Sequence, residues 1–207
     1  MGIEIVDLHS VRTDLLTKGP VLDTGCRGFR FAEWFAKRGH PVVMMDPAPD
    51  VEPPKSLYDT ATWHQFIKAA LVGPAYPKSM RLRMTRDAEA RHITHAAQEG
   101  DPVIDCVTIQ DVMGNSVLGQ NIAQWDVVKL NIEGAELDVL ADWPGPIARQ
   151  IVVSFHLHCP QGGSEADVAR VMEHMARWYT PVQHVKDARY GAGINYWDTV
   201  LVLKELA

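Results

Sequence analysis

The chain has 207 residues, 46% hydrophobic and 22% charged, ordinary values that exclude wholesale disorder, collagen and low-complexity architectures. The length favours a single domain over residues 1–207, large enough to bury a core without a disulfide or metal staple. Twenty Lys+Arg against 26 Asp+Glu leave a formal charge of −6, which lacks the basic footprint of a nucleic-acid binder.

No repeat at a fixed period is visible. Residues 1–10 show no basic region leading into an apolar run, so no signal peptide is expected, and no stretch approaches the about 18 apolar residues of a membrane span. Val21-Leu22-Asp23 reads as a short strand after Gly19-Pro20. Residues 29–38 read as a helix, with Phe31, Ala32, Phe35 and Ala36 on one stripe and Gly39 at its C-terminal cap. Residues 41–46 read as a buried strand ending in an acid, and the prolines of residues 47–54 as a loop. Residues 63–71 fit a helical period, whereas residues 66–72 also fit a buried strand; periodicity does not separate the two. Residues 74–100 are polar and irregular, with residues 80–84 alternating like an exposed strand. Arg81, Arg83, Arg86 and Arg91 form a local basic patch or a solvated face.

Residues 103–109 and 125–131 read as strands. A helix follows the second, with Glu136, Val139, Leu140 and Trp143 on one face. Residues 151–155 are the next strand. Ser164 and Asp167 resemble a capping box, opening a helix whose stripe is Val168, Val171, Met172, Met175 and Tyr179. Residues 197–204 read as a last strand, with residues 181–185 as its partner. Such alternation implies a mainly parallel sheet with helices on both faces. Ligands of such sheets bind at the carboxyl ends of the strands, so chemistry is expected just after Leu22, Met45, Leu71, Leu130 and Phe155.

Between the first strand and helix lies Asp23-Thr24-Gly25-Cys26-Arg27-Gly28. Its glycines let a backbone approach a ligand, and the helix start offers free N–H groups. The pattern lacks the third glycine of a dinucleotide fingerprint, which disfavours a nicotinamide-dependent dehydrogenase. An acid two residues before the glycine suits a cationic ligand. Asp46 follows 23 residues after Asp23, a spacing at which an acid commonly accepts ribose hydroxyls. In the string from Lys129 to Glu136, Asn131 ends a strand and Glu133 is expected in the first helical turn. There it either faces the cleft or serves the helix dipole.

His156 and His158 point to one side of a strand, but the sequence names no convincing third metal ligand, and no metal is expected. His156 is either a proton acceptor in the cleft or a hydrogen-bonded histidine at a strand end. Residues 190–197 are rich in glycine and aromatics, suited to stacking on a ligand or to edge packing. Cys26, Cys106 and Cys159 form no CxxC pair, which points to reduced thiols and a cytoplasmic setting.

The strings Val21-Leu22-Asp23-Thr24-Gly25, Asp46-Pro47 and Val128-Lys129-Leu130-Asn131-Ile132-Glu133-Gly134-Ala135-Glu136 resemble the FkbM-type family of S-adenosylmethionine-dependent methyltransferases. Ala70-Leu71 and Thr108-Ile109-Gln110-Asp111 resemble two further pieces of its pattern. The resemblance extends over residues 20–204. Asp46 stands where the family more often has glutamate, and Asn131 where it more often has aspartate. The resemblance implies an α/β, Rossmann-like class I methyltransferase fold, a mostly parallel seven-stranded sheet with helices on both faces and an antiparallel C-terminal strand. It favours a strand at residues 66–72.

It also implies roles. Asp23, Gly25, Cys26, Arg27 and Gly28 would hold the methionine end of S-adenosyl-L-methionine. Asp46 would bind the ribose, and Pro47, Ala70 and Leu71 would border the adenine. Asn131 would lie near the sulfonium. Glu133 and His156 would face the acceptor, one of them as general base. The implied reaction is methylation of a hydroxyl on a small molecule or glycan, with no nucleic-acid or membrane partner. Asn131 leaves open a non-catalytic cofactor- or nucleotide-binding protein. Residues 51–100 are expected to shape the acceptor pocket.

Overall fold

A computed structural model describes residues 2–60, 63–83, 92–94, 98–114, 122–186 and 196–207. The chain starts with a hairpin, β1 (Ile3–Val6) and β2 (His9–Arg12). Its two turn residues, Asp7 and Leu8, both have positive φ, 46° and 72°. That pair of angles matches the twist of the flanking strands, at a steric cost for a leucine.

Next come β3 (Val21–Thr24), α1 (Arg30–Ala36), β4 (Val42–Met45), α2 (Lys55–Tyr58) and β5 (His64–Ile67). Four short strands follow, β6 (Ala70–Leu71), β7 (Ser79–Arg83), β8 (His92–Thr94) and β9 (Val103–Val107). The chain continues through α3 (Ile109–Gly114), β10 (Trp125–Leu130), α4 (Glu136–Ala141), β11 (Ala148–His156), α5 (Glu165–Met175), β12 (Tyr179–Lys186) and β13 (Tyr196–Leu203).

The main sheet has seven strands in the order β12-β13-β11-β10-β3-β4-β5. Neighbours from β11 to β5 run parallel, and β13 is antiparallel to both β11 and β12. The chain builds outward from β3 to β5 and then crosses to β10 on the other side of β3. The boundary between β3 and β10 is therefore the topological switch point, where such sheets open a crevice.

Strand residues alternate between two cores. Leu22, Val43, Val128, Leu130 and Ile151 pack with Ile109, Leu140 and Val171 of α3, α4 and α5. Val21, Val42, Met44, Val127 and Val152 pack with Phe31 and Phe35 of α1, the β1–β2 hairpin, and Leu82 and Ile104 of the small sheet. Coverage of both faces explains why these strands read as unbroken apolar runs.

Three sequence expectations are corrected. Residues 66–72 are not one strand. β5 ends at Ile67 beside β4, and Ala70–Leu71 pairs instead with β9 in a second sheet ordered β6-β9-β7-β8. The break falls at exposed Lys68, whose ammonium reaches Glu52, and at a tight turn from the Ala69 N–H to the Ile67 carbonyl at 3.0 Å. Residues 103–109 do not form one strand either. β9 stops at Val107, because Thr108 and Asp111 exchange hydrogen bonds that cap α3 (Asp111 N to Thr108 Oγ1, 3.1 Å; Thr108 N to Asp111 Oδ2, 2.9 Å). Tyr179 is not on the α5 stripe; it opens β12, and its buried hydroxyl accepts from Trp143 Nε1 at 3.3 Å and Ala148 N at 3.2 Å.

The alternation at residues 80–84 does form β7, and Ser164 and Asp167 do form a capping box on α5. Arg81 and Arg83 bind Asp101, while Arg86 and Arg91 lie outside the described residues. No helix among the described residues is long and apolar enough to cross a membrane.

Candidate active site

The carboxyl ends of β3, β4, β10 and β11 open into one cavity of about 660 Å³, inside the range of about 300–1,000 Å³ typical of small-molecule sites. Asp23, Gly25, Cys26, Arg27, Gly28, Asp46, Pro47, Ala70, Leu71, Asn131, Glu133 and His156 all line it. The β1–β2 turn adds Asp7, Leu8 and His9, and the small sheet adds Leu82, His92 and Ile93.

The floor is set by sheet register. Asp23 on β3 lies opposite Lys129 on β10, so their side chains share a face. Lys129 Nζ donates to Asp23 Oδ1 at 2.7 Å and to the carbonyls of Thr24 and Gly25 at 3.2 Å. Both side chains are almost fully buried. Burial pushes the Asp23 carboxyl up from its ordinary value, and Lys129 opposes that shift.

Gly25 adopts φ +67°, and a Cβ there would lie 1.7 Å from the Asn131 carbonyl oxygen. Only glycine permits this contact, which locks the loop after β3 against the end of β10. Gly28 has no neighbour within 4 Å of its would-be Cβ, so its missing side chain leaves room in the cavity. Cys26 is buried, and burial pushes its thiol well above the ordinary range. Arg27 pairs with Asp50 at 3.1 Å. Asp46 follows β4, and its Oδ1 accepts from Ala48 N at 2.9 Å. Burial raises its pKa, against the Ala48 amide and Arg27.

The opposite wall is a charged cluster. β10 ends at Leu130, so Asn131 stands at the strand end as expected. The structure corrects the placement of Glu133. α4 begins only at Glu136, and Glu133 sits before it in a left-handed turn, φ +53°, beside Gly134 at φ +101°. The Glu136 carboxylate holds that turn, accepting from Ile132 N and Gly134 N at 2.9 Å each. Its Oε1 also lies 2.7 Å from His156 Nδ1. His156 Nε2 is 3.5 Å from Glu133 Oε1. Burial would lower the His156 pKa, but the two carboxylates outweigh it and hold the imidazole above its ordinary value. Cys159, in the turn after β11, donates Sγ–H to Glu133 Oε2 at 3.5 Å.

Sequence reasoning missed Lys129 and underused Glu136. Lys129 reads as one polar residue in an apolar strand. Glu136 carried a signal, since an acid on a helix's buried face needs a polar partner inside. Of the glycine-aromatic string, residues 190–195 lie outside the described residues. Trp197 stacks on His184, ring centroids 4.6 Å apart, which is the edge-packing alternative.

A scan of protein-family models finds no match, and a search of curated proteins finds none. Solved structures do match. The fibrillarin/Nop5p complex is 8% identical at TM-score 0.52, with 91% of this chain and 74% of that chain covered. A TehB-like S-adenosylmethionine-dependent methyltransferase from Corynebacterium glutamicum is 14% identical at TM-score 0.46, covering 91% and 82%. The Burkholderia thailandensis 1,6-didemethyltoxoflavin-N1-methyltransferase, with bound S-adenosylhomocysteine, is 16% identical at TM-score 0.46, covering 89% and 70%. At 8% identity and TM-score 0.52, the likeness to the fibrillarin/Nop5p complex speaks to the fold alone. The sheet order and its antiparallel β13 give the chain a Rossmann-like α/β fold.

Proposed function

We propose that the chain is an S-adenosylmethionine-dependent methyltransferase of the FkbM type that methylates a hydroxyl of a small molecule or glycan. The observation that carries this reading is one cavity joining the Asp23–Gly28 loop and Asp46 to the Glu133–Glu136–His156 cluster. The residues present suit the cofactor. Asp23, which lines the cavity beside the loop after β3, suits the ammonium of a methionyl end, and Asp46 suits ribose hydroxyls. Pro47, Ala70 and Leu71 offer apolar surface for an adenine. Bound there, S-adenosylmethionine supplies an electrophilic methyl group.

The chain's own residues do the rest. Glu136 fixes the His156 ring through Nδ1, which leaves Nε2 to take the acceptor's proton. Glu136 is thus a positioning residue, and Glu133 steadies the imidazolium that results. Holding both reactants in line removes an entropic cost worth several powers of ten. Leu82, His92 and Ile93 support a role for residues 51–100 in shaping the acceptor pocket. The charge of −6 supports a neutral acceptor over nucleic acid, and three buried free thiols support a reducing, cytoplasmic setting.

Isothermal titration with S-adenosylmethionine tests the first half: wild type binds, and Asp46→Ala loses binding. Transfer of a labelled methyl group to a panel of hydroxylated acceptors tests the second. His156→Ala is expected to lower kcat by about 10²–10⁴-fold with cofactor binding kept. Clean wild-type protein that binds no cofactor sinks the proposal. Binding without transfer to any acceptor favours a non-catalytic binding protein.

A further inference from the structure

We propose that Glu133, His158 and Cys159 form a site for one divalent transition-metal ion of zinc type, open to the acceptor side of the cavity. A carboxylate oxygen, an imidazole nitrogen and Sγ of these residues lie within 4.8 Å of one another. Zinc takes such donors at about 2.0–2.3 Å, so a tetrahedron has edges of about 3.3–3.6 Å. The Cys159 Sγ to Glu133 Oε2 distance, 3.5 Å, already has that length. The third donor, on exposed His158, needs at most about 1.5 Å of adjustment to complete the set.

The sequence pairs His156 with His158, and their ring centroids do lie 5.7 Å apart, but the two are not on one strand. His156 ends β11 and is held by Glu136, while His158 lies in the turn beyond it. Gly134 lets the Glu133 loop meet that turn, and Gly162 lets the turn fold back on the end of β11. A Cβ on Gly134 would stand 2.9 Å from Cys159 Cβ, and one on Gly162 would stand 1.9 Å from the His156 carbonyl oxygen. Thiolate, imidazole and carboxylate together select zinc or a similar ion over magnesium or calcium. Three protein ligands leave a fourth position open, as in catalytic zinc sites. Glu133 and His158 both line the cavity, so that position faces it. Glu133 Oε1, turned to His156, gives the site an outer-shell contact. Ion binding stands on this geometry alone; use of the ion to hold an acceptor oxygen rests on the methyl-transfer reading.

The test is metal analysis of purified chain after loading with Zn²⁺ or Co²⁺ and dialysis, with cobalt absorption spectra and thermal melts as fold controls. The expected result is one retained equivalent and a thiolate-to-cobalt charge-transfer band. Cys159→Ser loses the band, and folded His158→Asn binds the ion more weakly than by the about 10–100-fold that loss of an outer-shell partner costs. Failure of wild type to retain an ion overturns the proposal, as does a thiolate band that survives Cys159→Ser, or unchanged affinity in His158→Asn. S-adenosylmethionine titration of the same samples separates the two readings. Metal retained without cofactor binding refutes methyl transfer and leaves the site standing; the reverse refutes the site.

Discussion

Lys129 shows how a single buried charge shapes the site. Its ammonium stands on β10, between the Asp23 carboxylate and two carbonyls of the loop after β3. It therefore ties the loop after β3 to the central strand that leads into Asn131 and Glu133. Removing one partner of a buried pair leaves an uncompensated charge, whereas replacing both is far milder. Lys129→Met is expected to cost about 3–5 kcal/mol in denaturant unfolding. Adding Asp23→Asn to it should recover most of that loss. A single mutant as stable as wild type, or a double mutant no better than the single, counts against the pair. Asp23 was legible as a cavity-lining residue because it precedes a glycine turn. Its partner was not, because the two are neighbours only through strand register.

At the scale of elements, the strand and helix periods were largely legible, and the boundaries failed where one apolar run served two elements. Residues 66–72 contain no glycine or proline to mark the break at Lys68, so nothing local distinguishes one strand from two. At residues 103–109 a local signal was present, Thr108 with Asp111 three residues on. It was read only as a family-like string, although the same spacing is a helix cap. That cap makes a pH prediction. The Thr108 amide first, then Lys78 and the Thr108 hydroxyl, hold the Asp111 carboxyl down at about 2, below the about 3.9 of an unfolded aspartate. The folded pKa is the lower one, so the cap's contribution is present above about pH 4 and is lost as pH falls towards 2. Thr108→Ala should cost about 0.5–2 kcal/mol at neutral pH. In melting curves against pH, the gap between Asp111→Asn and wild type should close across that acid window; a gap that persists at its foot removes the cap from the account.

At the scale of the whole molecule, the cavity exists because the chain runs outward from β3 to β5 and then crosses back to β10 on the other side of β3. The small sheet and the β1–β2 hairpin then wall the side that the parallel strands leave open. A ligand seated there binds the folded chain alone and stabilises it. At about 100 times its Kd, a ligand adds about 2.7 kcal/mol, which for a chain of this size raises Tm by about 5–11 °C. Thermal melts with S-adenosylmethionine should show that rise in wild type and not in Asp46→Ala. An unchanged wild-type Tm at saturating cofactor contradicts the proposed function.

The sequence by itself determined the α/β alternation and most of the cavity's lining, because both follow from local rules. Strand and helix periods span a few residues, and in a parallel sheet the loops after strands necessarily meet at one edge. Only the tertiary structure decided which charges face one another. Asp23 with Lys129, Glu136 with His156, and Glu133 with His156 and Cys159 are partners that come from different elements or from loops joined across the sheet. Each side chain is compatible with many neighbours until strand register, and glycines at the two closest approaches, leave it one.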